Sequence, residues 1–129
     1  IFIDTGYVLA LVNTRDDHHD AASQAAGLVQ PPFLTTEAVL VEIGTTLSQP
    51  HPRALASQPF QGLRTDPTIE VVPVDTALFD RALALFGQRS DKDWGLTDCI
   101  SFVVMQERGL SDVLTTDHHF SQAGFRRLL

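Results

Sequence analysis

Short apolar runs alternate along the chain with longer stretches in which apolar residues recur at helical spacing. The apolar runs predict strands over residues 1–4, 33–36, 68–74 and 112–117, and an edge strand near 125–129. The stretches between them predict helices over 5–13, 19–29, 37–49, 52–65, 76–88 and 98–109, and one helical turn at 118–122. Strands that alternate with helices favour a three-layer α/β/α fold with a short, mostly parallel sheet flanked by helices.

Residues typical of helix termini support these boundaries. Ser, Thr, Asp and Asn are the preferred N-caps, and the predicted caps are Thr5, Asp16 or Asp17, Thr36, Asp75 and Thr97. Pro59 is expected to interrupt the helix over 52–65, because proline removes a backbone donor. The strand over 68–74 is apolar enough to be buried, and the helix over 76–88 has an apolar face made of Leu78, Phe79, Ala82, Leu83 and Phe86.

Composition narrows the class of protein. The 129 residues predict a single domain over residues 1–129, and 43% apolar with 19% charged residues is typical of a soluble globular protein. No apolar run approaches the roughly 20 residues of a membrane span, and a single cysteine, Cys99, excludes an intramolecular disulfide and favours the cytoplasm. The chain does not begin with Met, so at least one preceding residue is expected.

The net charge of −7 argues against a broad basic surface for nucleic acid. An acidic site that is neutralised by metal ions is compatible with this charge. The composition therefore favours a functional site built from acidic rather than basic side chains.

Acidic residues stand at positions where α/β folds bind ligands. Asp4 and Asp117 each follow a predicted strand, and open parallel sheets bind ligands at the carboxyl ends of their strands. Glu42 lies inside the apolar stretch AVLVEIGTTL without Lys or Arg within one helical turn, and Asp98 begins an apolar helix. Ordinary structural roles stay open for each: helix capping for the two strand-end acids, dipole stabilisation for Asp98, and a solvated helix edge for Glu42.

Convergence of the four acids at one crevice would have a chemical consequence. Carboxylates packed together repel one another and raise at least one pKa, and hard divalent cations relieve that repulsion. A donor set made only of oxygen suits Mg²⁺ or Mn²⁺ rather than Zn²⁺. Such ions activate water for attack on phosphorus, so Asp4, Glu42, Asp98 and Asp117 are the predicted metal ligands and catalytic residues. Asp93, in the loop before Asp98, is a candidate supporting group.

Four segments of the chain resemble the motifs of one protein family. FIDTGYVLALV, TTEAVLVEIGTTL, GLTDCISFVVMQERGL and VLTTDHHF resemble, in order and spacing, the motifs of PIN-domain ribonucleases, above all the VapC-type toxins of VapBC toxin–antitoxin pairs. The resemblance covers nearly the whole chain. It implies that the four acids hold one or two Mg²⁺ or Mn²⁺ ions and that Thr5 and Thr115 support them. It also implies a metal-dependent endoribonuclease that leaves 5′-phosphate and 3′-hydroxyl ends, a homodimer, and a VapB-like antitoxin partner.

Other function classes have less support. A PIN-like scaffold that binds RNA or protein without catalysis stays open, and absence of divalent-metal binding would favour it. A haloacid-dehalogenase-type phosphatase would need a D-x-D pattern, and this chain has Gly6 at the second position. A response-regulator receiver would need a lysine at a late strand end, whereas Lys92, the only lysine, lies in a predicted loop. Neither of the usual glycine-rich nucleotide-binding loops is present.

The remaining polar residues are weaker candidates. The pairs His18-His19 and His118-His119 are expected to serve surface or capping roles, because adjacent helical residues point about 100° apart. Trp94 is expected to anchor its loop rather than stack on a base. The candidate RNA phosphate contacts are scattered, and surface roles are the alternative for each: Arg15, Arg53, Arg64, Arg126 and Arg127.

Overall fold

The computed structural model describes residues 1–48 and 50–129, and the side chains of all of these except residues 50–57. The strands are β1 (Phe2–Ile3), β2 (Phe33–Thr36), β3 (Ile69–Val72), β4 (Asp112–Leu114) and β5 (Arg126–Arg127). The helices are α1 (Thr5–Val12), α2 (His19–Leu28), α3 (Glu37–Thr46), α4 (Pro50–Thr65), α5 (Thr76–Gln88), α6 (Leu96–Glu107) and α7 (His119–Gln122). The predicted alternation of strands and helices is confirmed.

The sheet has the strand order β3-β2-β1-β4-β5, and every pairing in it is parallel. The chain moves from β1 outward through β2 to β3, and then crosses back to place β4 on the other side of β1. Ile3 lies opposite Leu114 in the register of β1 and β4. The change in winding direction therefore lies between β1 and β4, where α/β sheets bind their ligands. The α/β fold class is confirmed.

An aromatic cluster fills the core beside this switch point. Phe102 of α6 packs edge-on against Phe120 of α7 at 5.0 Å between ring centroids, and Phe120 lies 6.3 Å from Phe2 of β1. Trp94, only 5% exposed, packs edge-on against Phe102 at 4.9 Å, and its Nε1 donates a hydrogen bond to Gln122 Oε1 at 3.0 Å. The predicted anchoring role of Trp94 is confirmed. No helix in the described part of the chain is long and apolar enough to cross a membrane.

Two of the predicted helix caps are present as hydrogen bonds. The side chain of Thr36 accepts from the backbone N–H of Val39 at 3.2 Å at the start of α3. The side chain of Asp75 accepts from the backbone N–H of Leu78 at 2.8 Å at the start of α5. Each bond satisfies one of the backbone donors that a helix leaves free at its first turn.

Two other caps are wrong. Thr5 and Thr97 are helical residues, and the N-cap positions belong to Asp4 and Gly95. Asp98, inside the first turn of α6, reaches back to the N-cap residue: its Oδ2 accepts from the backbone N–H of Gly95 at 3.1 Å. The helices thus begin one or two residues earlier than the threonines indicated.

The cap predicted for α2 is also wrong. His18, rather than Asp16 or Asp17, occupies the N-cap position, and it makes no side-chain capping bond. Asp16 Oδ1 accepts from the backbone N–H of His18 at 2.8 Å. This carboxylate therefore closes the turn that leads into the helix, as aspartates do in turns.

Pro59 lies inside α4 and does not interrupt it. The residues that follow it hold the helix to the protein. A Cβ on Gly44 of α3 would lie 3.3 Å from Cζ of Phe60, so the Phe60 ring packs directly on that glycine, and Leu63 is buried in the core. This packing offsets the loss of one backbone donor.

Two expectations about burial need correction. β3 is half-buried rather than buried, because it is an edge strand of the sheet. On α5, Leu78 and Ala82 are buried, whereas Phe79, Leu83 and Phe86 are 39%, 47% and 48% exposed. We refer to these three exposed residues as the α5 apolar face. The helix therefore has a wider apolar surface than its packing against α6 uses.

Candidate active site

A hydrogen-bonded chain joins the ends of β1 and β4. The backbone N–H of Asp4 donates to Leu114 O at 3.1 Å, so Asp4 and Thr115 lie side by side. Thr115 Oγ1 donates to Asp4 Oδ2 at 2.6 Å and accepts from the backbone N–H of Asp117 at 3.0 Å. One buried hydroxyl thus links the two strand-end acids, which are far apart in sequence.

Asp4 is 5% exposed, and burial raises its pKa from 3.8 to about 6. Hydrogen bonds from the Thr115 hydroxyl and the Thr5 backbone favour the ionised form and oppose this rise. Repulsion from the carboxylates of Glu42 and Asp98 raises the pKa of Asp4 further. The charge on this residue is therefore costly, and a cation at the site would stabilise it.

Glu42 reaches the same site from helix α3. It is half-buried and lines the cleft with Asp4 and Thr46, whose hydroxyl donates to the Glu42 carbonyl oxygen at 3.0 Å. No hydrogen bond or ion pair to its carboxylate is found within the described residues. A half-buried carboxylate without a donor is available to bind a cation.

Asp98 and Asp117 meet at His119. The Nδ1 of His119 lies 3.0 Å from Asp98 Oδ2 and 3.3 Å from Asp117 Oδ1, and the His119 backbone N–H donates to Asp117 Oδ1 at 2.8 Å. Burial raises the pKa of Asp98, and repulsion from Asp117 adds to the rise, while the bonds from Gly95 and His119 oppose it. The start of α6 is in this way held against the end of β4.

These contacts bring the four predicted acids together. A cleft of about 430 Å³ is lined by Asp4, Glu42 and Asp117, and Asp98 is close enough to raise the pKa of Asp4. The acids come from a strand end, the middle of one helix, the start of another and a second strand end. Their role as metal ligands and catalytic residues stays a prediction.

The donor set fits a hard divalent cation. Oxygen ligands on rigid elements surround a site whose acids repel one another, which are the conditions that such a cation relieves. Thr5 Oγ1 is buried beside the cleft and has no hydrogen-bond partner among the described residues. An orphaned hydroxyl oxygen next to carboxylates is a further available ligand. Asp93 is exposed in the loop before α6 and makes no hydrogen bond to the four acids within the described residues.

The sequence predicts surface or capping roles for His118 and His119, and His118 is the exposed N-cap residue of α7. It does not predict the contacts of His119 with Asp98 and Asp117. Side-chain ligand atoms of Asp117, His118 and His119 all lie within 4.8 Å of one another. The signal that was available is position, because both histidines directly follow a strand-end acid.

Gly6 and Thr116 shape the opposite wall of the cleft. A Cβ added to Gly6 would collide with Thr116 Oγ1, so only glycine allows α1 to approach the segment before Asp117 this closely. A larger residue at position 6, such as the second acid of a phosphatase-like D-x-D pattern, would require Thr116 to move.

The candidate RNA contacts are not all free. Arg126 pairs with Asp112 at 2.7 Å, and Arg127 donates to Ser121 Oγ at 2.9 Å and to Thr116 O at 3.2 Å. Arg15 and Arg64 are exposed. The side chain of Arg53 lies outside the described residues. Residues that bind RNA therefore stay unassigned.

A larger cavity lies at the other end of the strands. It has a volume of about 660 Å³ and is lined by Ile1, Pro32 and Leu110 among others. Its one acid, Glu70, is paired with Arg108 at 2.6 Å. Size alone would favour this cavity, but the smaller cleft lies at the carboxyl ends of the strands, and its three acids have no Lys or Arg partner among the described residues.

Comparisons with known proteins agree with the fold. The PIN domain family model matches residues 1–126. Two curated relatives, each described as 23S rRNA-specific endonuclease VapC20, come from Mycobacterium tuberculosis strains CDC 1551 / Oshkosh and ATCC 25618 / H37Rv. Each is 29% identical over 127 residues, which covers 97% of this chain and 95% of the relative.

Two solved structures are similar to this chain. The crystal structure of M. tuberculosis VapC20, described as a sarcin-ricin loop cleaving toxin, matches with a TM-score of 0.90 and 26% identity, covering 97% of this chain and 95% of that one. FitAcB from Neisseria gonorrhoeae matches with a TM-score of 0.68 at 12% identity, covering 98% and 94%. The second similarity supports the fold alone.

Proposed function

Because the chain belongs to the PIN-domain family, we propose that it is a metal-dependent endoribonuclease that acts as the toxin of a toxin–antitoxin pair. The observation that carries the proposal is the convergence of four carboxylates: Asp4, Glu42 and Asp117 line one cleft, and Asp98 lies near enough to repel Asp4. Burial, with repulsion from Glu42 and Asp98, raises the pKa of Asp4 to about 6. The relatives described as rRNA-specific endonucleases support the choice of RNA as substrate.

Some residues of the site would bind the metal ion, and others would position those ligands. Asp4, Glu42, Asp98 and Asp117 would hold Mg²⁺ or Mn²⁺, the cations that prefer oxygen ligands. When bound, such a cation supplies positive charge at the phosphodiester and lowers the pKa of water.

Positioning falls to residues that contact these acids. Thr115 fixes the Asp4 carboxylate and the backbone of Asp117 through one hydroxyl. His119 fixes Asp98 against Asp117. Rigid ligands of this kind keep the acids close together despite their repulsion.

A structured ribosomal RNA loop is the substrate class that we propose. M. tuberculosis VapC20 is described as cleaving the sarcin-ricin loop, and the two proteins match along nearly their whole lengths. Ribosomal RNA is a cytoplasmic target, so we propose a cytoplasmic location.

Cleavage of a synthetic sarcin-ricin stem-loop by the purified chain tests the proposal. The reaction is run with Mg²⁺, with Mn²⁺ and with a chelator, beside Asp98→Asn and an exposed control, Asp80→Asn on α5. We expect discrete cuts with 5′-phosphate and 3′-hydroxyl ends that require metal and Asp98. Metal binding without cleavage of this loop or of a structured RNA pool would refute the nuclease, and loss of both would indicate a binding scaffold.

We also propose two protein partners. The α5 apolar face exposes three large side chains, Phe79, Leu83 and Phe86, and a second copy of the chain would cover it. An antitoxin is the second partner, and a basic side chain from it would enter the acidic cleft in place of the metal. A complex whose partner leaves the cleft open and metal-bound would count against that mode of inhibition.

A further inference from the structure

We propose that Asp117, His118 and His119 form a second metal site, selective for a transition-metal ion such as Zn²⁺, which shares Asp117 with the carboxylate cleft. The four-acid cleft offers oxygen alone, whereas this group offers two imidazole nitrogens and one carboxylate oxygen. Imidazole favours Zn²⁺ and related ions, and Mg²⁺ favours oxygen. The two sites therefore differ in the ion that each prefers.

The spacing of the donor atoms fits one small ion. The Nδ1 of His118 lies 3.7 Å from Asp117 Oδ1, and the Nδ1 of His119 lies 3.3 Å from the same oxygen. Ligands at about 2.1 Å from a tetrahedral ion are about 3.4 Å apart. The two observed distances bracket this value, and one ligand atom from each of the three residues lies within 4.8 Å of the others.

The surroundings of the group also suit a metal. The His119 side chain is 18% exposed, and its contact with Asp98 at 3.0 Å holds the ring between the two acids. Both contacts are made by Nδ1, so an ion bound at this nitrogen would take the place of the direct contact with Asp98 and lie beside two carboxylates. The His118 side chain is 69% exposed and lines the mouth of the cleft, which gives an ion a path from solvent.

The chain contains a natural control in its other histidine pair. His18 and His19 also lie among aspartates in the sequence DDHHD. His19 Nδ1 faces the backbone carbonyl oxygen of Ala10 at 2.8 Å, whereas His119 Nδ1 faces carboxylates that can themselves ligate an ion, and the His18-His19 pair belongs to no convergent ligand group in the described part of the chain. Two adjacent histidines beside an acid are thus not sufficient, and the convergence at Asp117 is what distinguishes the second pair.

A consequence for activity rests on the proposed function. A Zn²⁺ ion at this site would take the Asp117 carboxylate that the cleft needs for Mg²⁺ or Mn²⁺. Zn²⁺ is therefore expected to inhibit RNA cleavage, and substitution of His118 is expected to raise the Zn²⁺ concentration that is required.

Direct metal binding tests the site without reference to cleavage. Zn²⁺ affinity is measured on the full chain, without a histidine tag, by competition with a chromogenic chelator, and Co²⁺ absorption reports the ligands. We expect His118→Asn to weaken Zn²⁺ binding by at least about tenfold and to change the Co²⁺ spectrum, whereas His18→Asn does neither. Mg²⁺ affinity, measured by calorimetry, is expected to change far less than Zn²⁺ affinity in the His118 variant.

The outcomes separate this inference from the proposed function. Equal Zn²⁺ affinities in the parent and His118→Asn would overturn the site, as would a parallel loss of Zn²⁺ and Mg²⁺ binding. Glu42→Gln removes an acid that only the carboxylate cleft uses, so it should weaken Mg²⁺ binding and leave Zn²⁺ binding intact. If the parent cuts no RNA but binds Zn²⁺ through His118, the nuclease proposal fails while the metal site stands.

Discussion

Replacement of Asp4 by Asn should stabilise the metal-free protein. The pKa of Asp4 is raised from 3.8 to about 6, chiefly by burial, so its ionised form destabilises the folded state. Each pKa unit corresponds to about 1.4 kcal/mol, which makes the penalty up to about 3 kcal/mol. Asparagine removes the charge and keeps a side-chain oxygen that can accept the Thr115 hydroxyl.

The gain should depend on pH with a definite sign. Because the folded-state pKa is raised, the folded protein binds the proton more tightly than the unfolded chain does. The free energy of unfolding of the parent therefore falls as pH rises from 3.8 to about 6. Below that window Asp4 is neutral in both states, and above it the penalty is complete. Asp4→Asn should therefore gain about 1 kcal/mol at pH 4.5 and about 3 kcal/mol at pH 7.5.

Urea unfolding at the two pH values, with a chelator present, measures this difference. Asp80→Asn, an exposed substitution on α5, serves as the matched control and should gain little at either pH. A variant that is less stable than the parent at pH 7.5 would refute the reasoning. A gain of equal size at both pH values would show that the effect does not come from the Asp4 charge.

Three further predictions concern the site and its surroundings. Thr115→Val should lower the free energy of unfolding in urea by about 1–3 kcal/mol, because it leaves the buried Asp4 carboxylate without its hydroxyl donor. Thr115→Ser should recover most of this loss, and equal instability of the two variants would contradict the role of the hydroxyl. Mn²⁺ at 100 times its Kd should stabilise the parent by about 2.7 kcal/mol in thermal unfolding, and an equal shift in Asp98→Asn would place the metal elsewhere. Leu83→Lys should convert a dimer to a monomer in light scattering. Ala84 is exposed on another side of α5, so Ala84→Lys should leave the dimer intact. A dimer that survives Leu83→Lys would exclude the α5 apolar face as its interface.

The local pattern of residues predicts most of the elements and singles out the acids that the fold brings together. Asp4 and Asp117 stand out because each ends an apolar run, and Glu42 because it is an unpaired charge in an apolar helix. Thr36 and Asp75 cap their helices as predicted, since a cap depends on the few residues around it. The caps that failed, such as Thr97, differ from the observed helix start by one or two residues, which is the usual uncertainty of a helix boundary.

The tertiary structure decided how these pieces meet. Thr115 and Asp4 are 111 residues apart, and only the placement of β4 beside β1 joins them. The raised pKa of Asp4 follows from that placement, as does the meeting of Asp98 with His119.

Burial of the apolar surfaces was decided in the same way. Leu83 lies on the apolar face of α5 that the sequence predicts, but its exposure depends on how much of that face α6 covers. β3 reads as a buried strand, but its position at the sheet edge leaves it half-buried. Periodicity and capping are properties of neighbouring residues, whereas burial, pKa shifts and ligand geometry depend on distant segments that only the folded chain brings together.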